Sequence, residues 1–194
     1  MHIDVLSGWL DQAEQCPSPH FNARPADAQV SLLVIHNISL PPGEFGGGFV
    51  QSFFQGKLDP SQHPYFAEIA SLRVSAHFLI ERSGRITQFV SCNDRAWHAG
   101  VSCYAGVADC NDFSIGVELE GVDDVPYTDD QYQSLIHLTQ ALQQTYPAID
   151  CYRITGHEFI APGRKTDPGL AFHWQRYLRA LTRQDDNHMG GSPR

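Results

Sequence analysis

Val30-Ser31-Leu32-Leu33-Val34-Ile35-His36-Asn37 is the stretch on which the fold turns. Residues 30–35 are apolar with one break and carry several β-branched side chains. A strand with one wet face alternates apolar and polar residues, and this run does not. It therefore reads as a central strand buried on both faces. His36 and Asn37 come directly at its end, where a rigid scaffold can present polar groups to a cleft.

Outward from that strand, other elements assemble around it. Residues 74–80 read as a second strand, Ser83-Gly84 as a turn, and residues 85–90 as its hairpin partner. Residues 113–121 alternate: Ile115, Val117 and Leu119 point one way, Gly116, Glu118 and Glu120 the other. Short helices fit residues 49–55 and 66–72. Thr128-Asp129-Asp130-Gln131 is a capping box, and the helix it opens runs to about Tyr146, ahead of Pro147. Residues 151–155 suit a further short strand, and residues 172–181 a last helix. This irregular mixture implies a single α/β domain of mixed α+β character, a central mixed sheet flanked by helices. Residues 1–29 are expected as an extended arm packed on the domain, residues 30–182 as the domain itself, and 183–194 as a disordered tail. The loop 39–64 is long for a compact domain and is expected to wall a groove.

Composition narrows the function. A net charge of -9 with 13 scattered Lys and Arg excludes nucleic acid as the main partner. No apolar run approaches a membrane span, and the opening Met1-His2-Ile3-Asp4-Val5 has no basic or apolar leader pattern. The five cysteines include no CxxC pair, which leaves a reducing cytoplasm as the expected compartment.

The chemistry gathers in Gly156-His157-Glu158-Phe159-Ile160-Ala161-Pro162-Gly163-Arg164-Lys165-Thr166-Asp167-Pro168-Gly169. Its glycines and prolines are expected to keep helix and strand out. With His36, the histidine and aspartate of this loop make two nitrogens and one oxygen, leaving the fourth position of a catalytic zinc site open. Ten histidines allow other triples. Glu118 and Glu120 share a strand face, so spacing does not choose between them as a base. His77, in an apolar strand, reads first as a core or supporting histidine. Trp97 and His98 lie in a polar, glycine-bounded loop and read as site residues, Trp97 as a stacking face for a sugar. Asn37 and Tyr65 are groove candidates. Arg73 is either a carboxylate clamp or a surface ion pair.

Five motifs in order carry a resemblance: residues 33–43, Val74-Ser75-Ala76-His77-Phe78, Arg95-Ala96-Trp97-His98-Ala99-Gly100, residues 110–121, and Arg164-Lys165-Thr166-Asp167-Pro168-Gly169. Together they resemble the zinc N-acetylmuramoyl-L-alanine amidases, most of all the cytoplasmic ones that act on anhydromuropeptides. The resemblance implies an amidase/peptidoglycan-recognition fold, with Zn2+ on His36, His157 and Asp167, Glu118 beside the metal water and Lys165 beside the scissile carbonyl. It implies cleavage between the lactyl group of 1,6-anhydro-N-acetylmuramic acid and L-alanine in cell-wall recycling, with an effect on β-lactamase induction. The expected partner is that small molecule alone, and the expected state a monomer. The other readings are a general amidase on intact wall and a non-catalytic recognition module. Glu158, Gly163 and Asp109 depart from the family pattern and bear on fine specificity.

Overall fold

The computed structural model describes residues 1–189. In chain order its elements begin with β1 (Glu14–Gln15), β2 (Phe21–Ala23), β3 (Leu32–Ile38), α1 (Phe49–Phe54), α2 (Pro64–Ile69), β4 (Phe78–Ile80) and β5 (Ile86–Gln88). They continue with β6 (Asp94–Ala96), β7 (Cys103–Tyr104), β8 (Val107–Ala108), β9 (Ser114–Glu120), α3 (Asp129–Thr145), β10 (Ile154–Gly156), α4 (His157–Ile160) and α5 (Trp174–Met189). The main sheet has the order β1-β5-β4-β9-β3-β10. Only β4 and β5 run antiparallel; the other neighbours are parallel. This is the mixed sheet with flanking helices that the sequence predicts.

Burial of β3 on both faces sets the layers. Leu33 and Ile35 pack with Ile115, Val117 and Leu119 of β9 against Leu135, Leu138 and Leu142 of α3 and Tyr177 of α5. Leu32 and Val34 face the other way, onto Ala99, Cys110 and Ile160. A third cluster joins Leu79 and Phe89 to Phe53 and Phe54 of α1 and Phe66 of α2. Each fully buried aliphatic or aromatic side chain contributes about 1.5–3 kcal/mol. The functional side chains sit on the face away from α3. That follows from parity: with Ile115, Val117 and Leu119 turned to the helices, Ser114, Gly116, Glu118 and Glu120 must turn the other way.

Several boundaries differ from expectation. The strand predicted at 30–35 runs on as β3 through Ile38, because His36, Asn37 and Ile38 find ladder partners in Glu118, Leu119 and Glu120. His36 and Asn37 therefore lie within the strand. Only residues 78–80 of the run 74–80 form a strand. Upstream, the Ser75 N–H bonds Trp97 O, outside any regular ladder. The punctuated loop admits one helical turn, α4, which fits between Gly156 and Pro162. Within residues 1–29, β1 pairs with β5 and β2 with β6. Of the disordered tail expected at 183–194, residues 183–189 instead continue helix α5, and residues 190–194 lie outside the described residues.

Candidate metal centre and its cavity

His36 reaches the site from the middle of β3, His157 from the first residue of α4, and Asp167 from the loop after α4. Nδ1 of His36 lies 3.0 Å from Nδ1 of His157, and each lies 3.0 Å from Oδ2 of Asp167. The side chains of the two histidines are 1% and 3% exposed, that of the aspartate 13%. Their ligand atoms fall within 4.8 Å of one another, close enough to share a metal ion.

Hydrogen bonding explains why these atoms face inward with lone pairs. His157 Nε2 lies 3.0 Å from Ala99 O. A carbonyl only accepts, so that nitrogen carries the proton and Nδ1 is bare. His36 places Nε2 2.9 Å from Nδ1 of His98. Two imidazole nitrogens and a carboxylate oxygen converge in a buried corner, an arrangement that a cation among them would satisfy. The donor set of two imidazoles and one carboxylate is that of a catalytic zinc site. Burial lowers the pKa of His36 to about 4, which keeps the imidazole neutral. Burial alone would raise the Asp167 carboxyl. The close contacts with His157 and His36 outweigh that and hold it well below the usual carboxylate range.

The loop bearing Asp167 is fixed from several sides. Glu158 N–H donates to Asp167 O at 2.9 Å. The hydroxyl of Tyr127 donates to Pro168 O at 2.7 Å. Asn37 Nδ2 donates to Asp123 Oδ1 at 2.8 Å and to Pro168 O at 3.1 Å. Gly163 adopts φ 75°, a left-handed conformation that a side chain would strain, which accounts for glycine at that turn.

A cavity of about 370 Å³ opens over the three ligands and is lined by Asn37, Tyr65, Trp97, His98, Glu118 and Lys165 among others. Its apolar floor comes from Leu40, Phe53, Phe54 and Ile69. Arg73 is exposed and is not among the lining residues. Trp97 is held by its indole N–H, which donates to Asn22 Oδ1 at 2.6 Å, and by stacking on His20 at 6.1 Å. His98 has both ring nitrogens engaged within the protein, with His36 and with Ser114 Oγ at 3.1 Å. His77 is a core residue: its Nδ1 accepts from Gly116 N–H at 3.0 Å, and Nε2 lies 3.1 Å from Asp94 O.

The two glutamates of β9 differ sharply. Glu120 accepts from Gly46 N–H at 2.5 Å with one oxygen and from Arg82 N–H at 3.0 Å with the other. Glu118 Oε2 is buried without a hydrogen-bond partner among the described residues. Burial first, and then the nearby Asp167 charge, push the Glu118 carboxyl well above its ordinary pKa, with Lys165 opposing. An unpaired carboxyl beside a candidate cation is placed to exchange protons with water or substrate.

Sequence reasoning missed the supports: Asn22 from the arm, the Ala99 carbonyl, and Asn111, whose Oδ1 accepts from His98 N–H at 3.1 Å and Ala99 N–H at 2.8 Å. Asn111 sits inside a quoted motif, so it was within reach. Asn22 carries no local signal.

Residues 26–170 match the family model described as N-acetylmuramoyl-L-alanine amidase. The chain belongs to the N-acetylmuramoyl-L-alanine amidase family. Within that amidase family, it is 59% identical over 178 residues to the 1,6-anhydro-N-acetylmuramyl-L-alanine amidase AmpD of Haemophilus influenzae, covering 92% of this chain and 97% of that one. The crystal structure of a selenomethionine AmpD derivative superimposes with a TM-score of 0.89 at 59% identity, covering 93% of this chain and 99% of that chain. Escherichia coli AmiD in complex with its substrate anhydro-N-acetylmuramic acid-L-Ala-D-γ-Glu-L-Lys shares the fold at 28% identity and a TM-score of 0.57, covering 88% of this chain and 68% of that chain. This amidase is accordingly a hydrolase. No described helix is long and apolar enough to cross a membrane.

Proposed function

We propose that the protein hydrolyses the amide between the lactyl group of 1,6-anhydro-N-acetylmuramic acid and L-alanine of the stem peptide, in peptidoglycan recycling. The observation that carries this is the convergence of His36, His157 and Asp167 below one cavity with an unpaired Glu118. The 59% identity to AmpD supports the choice of substrate.

His36, His157 and Asp167 are the residues that would hold zinc. Zinc there supplies Lewis acidity, polarising the scissile carbonyl and making water nucleophilic near neutral pH. Glu118 takes a proton from the attacking water and returns it to the departing alanine nitrogen, leaving a free carboxylate and amine. Lys165 lines the same cavity and faces the charge that develops on the carbonyl oxygen. Trp97, held edge-on by Asn22, offers its face to the sugar, and Tyr65 borders the peptide. Asn37 acts mainly by bracing the Asp167 loop. Arg73 lies outside the lining, where it can meet only the far end of the stem peptide. We place the enzyme in the cytoplasm as a monomer whose catalytic unit spans residues 30–182, with the arm before it supporting Trp97.

The test is hydrolysis of anhydro-N-acetylmuramyl-tripeptide and of the matching non-anhydro muramyl peptide, with zinc and with chelator, read by mass spectrometry. Release of tripeptide chiefly from the anhydro substrate, abolished by chelator and restored by zinc, is expected. Equal rates on both would replace recycling by general wall hydrolysis. No release from either with zinc present would leave a recognition module.

A further inference from the structure

The metal centre has an unclaimed participant in His98. We propose that His98 is a positioning residue that fixes the proton of His36 and so sets the affinity for the cation. This rests on the metal reading above.

The argument follows the protons. His157 carries its proton on Nε2 because its partner there, Ala99 O at 3.0 Å, only accepts. His36 must present Nδ1 bare to share a cation with His157 and Asp167, so its proton is on Nε2. The atom waiting there is Nδ1 of His98, at 2.9 Å. His98 must then offer a lone pair at Nδ1 and carry its own proton on Nε2, which points at Ser114 Oγ 3.1 Å away. Each link has one consistent direction: His36 donates to His98, and His98 donates to Ser114. The ring stands perpendicular to His36, at an interplanar angle of 85°.

Two further observations show that the arrangement is built. A Cβ on Gly116 would run into the His98 ring, so glycine at that strand position is what lets the ring lie against β9. Asn111 Oδ1 accepts from both His98 N–H and Ala99 N–H, so one loop delivers the two supports as a unit. The His98 ring orients one ligand histidine and the next residue's carbonyl orients the other. Partners of this kind change metal affinity by about 10–100-fold when removed.

The experiment measures zinc affinity of the metal-free full chain by chelator competition for the parent, His98→Leu and His98→Asn. Histidine-selective ¹⁵N NMR of the zinc-loaded parent accompanies it. Asparagine can place Oδ1 near the position of Nδ1 and accept the same proton. His98→Leu should bind zinc about 10–100-fold more weakly. His98→Asn should fall closer to the parent than to the leucine variant, with matching melting curves for the metal-free proteins. NMR should show His36, His98 and His157 all protonated at Nε2. Parent-like zinc affinity in His98→Leu, or a proton on Nδ1 of His98, overturns the proposal. If His98→Leu does not fold, the NMR result on the parent decides alone. A parent chain that takes up no zinc sinks the metal centre itself, an outcome distinct from an intact centre that ignores His98.

Discussion

At the scale of residues, the pair Glu118 and Glu120 shows what sequence can and cannot say. Both follow from the alternation of β9, and both are buried, 8% and 5% exposed. Parity gives them one face and stops there. What separates them is the backbone of distant loops: N–H groups of Gly46 and Arg82 saturate Glu120, and nothing among the described residues claims Oε2 of Glu118. No local pattern encodes that difference. Glu118→Gln keeps the shape and removes the proton acceptor. We expect zinc content to stay at the parent level while kcat falls by about 10²–10⁴-fold, the usual contribution of a general base. Retained turnover in a zinc-loaded Glu118→Gln protein would show that another group moves the proton. Asn37 teaches the converse lesson. Its place beside His36 made it a groove candidate, and it does line the cavity, while its amide nitrogen donates to two neighbouring loops, at Asp123 and Pro168.

At the scale of elements, hydrophobic pattern located the centre well and the margins less well. The core strand, the alternation of β9 and the capped helix were all legible because each has a strong local period or cap. The short strands β2, β6, β7 and β8 were not. They have two or three residues each, too few for a period; β2 and β6 exist because each offers the other hydrogen bonds from far along the chain, and β7 and β8 pair with each other across a tight turn. Helix α3 can be tested through its cap. Thr128 Oγ1 accepts from Gln131 N–H at 3.1 Å and donates to Arg82 O at 2.7 Å, while Gln131 Oε1 accepts from Thr128 N–H at 3.1 Å. Thr128→Ala should cost about 0.5–2 kcal/mol. For a chain of this size, each kcal/mol lowers the melting temperature by about 2–4 °C. Calorimetry showing no change would mean that the cap contributes nothing beyond solvent. Activity per folded molecule should be preserved, since α3 covers the face of the sheet opposite the cavity.

For the molecule as a whole, the site is an assembly of pieces far apart in sequence. His36 and Asp167 are separated by 131 residues, and β3 meets β9 and β10 only through crossovers. A single chain read locally supplied the candidates, and family resemblance supplied their grouping. The structure adds the braces between them. Its buried charges also predict a pH response of the metal-free protein. Burial depresses the histidine pKa from 6.5 to about 3 at His77 and from 6.5 to about 4 at His36, and holds His98 well below 6.5. The unfolded chain takes up these protons first as pH falls. Stability is therefore full above pH 6.5 and is lost as pH drops toward 4, with the depressed Asp167 adding to the loss at still lower pH. Glu118, whose carboxyl is raised, acts in the opposite sense and is outnumbered. Urea midpoints should fall steadily from pH 6.5 to 4; a flat profile would mean that these histidines are not held neutral in the fold.

The pairing of His36 with Glu118 across the β3–β9 ladder bears on drug resistance. These two residues occupy opposed rungs of the sheet's interior. An inhibitor that grips them leaves a target little room to escape, because under the proposed mechanism a change at either rung would disable catalysis. The walls are different. Tyr65 rides on a short helix and Trp97 on a loop steadied by the arm. Compounds that draw their affinity from those walls would meet escape mutants early, and compounds anchored to His36 and Glu118 would meet them late.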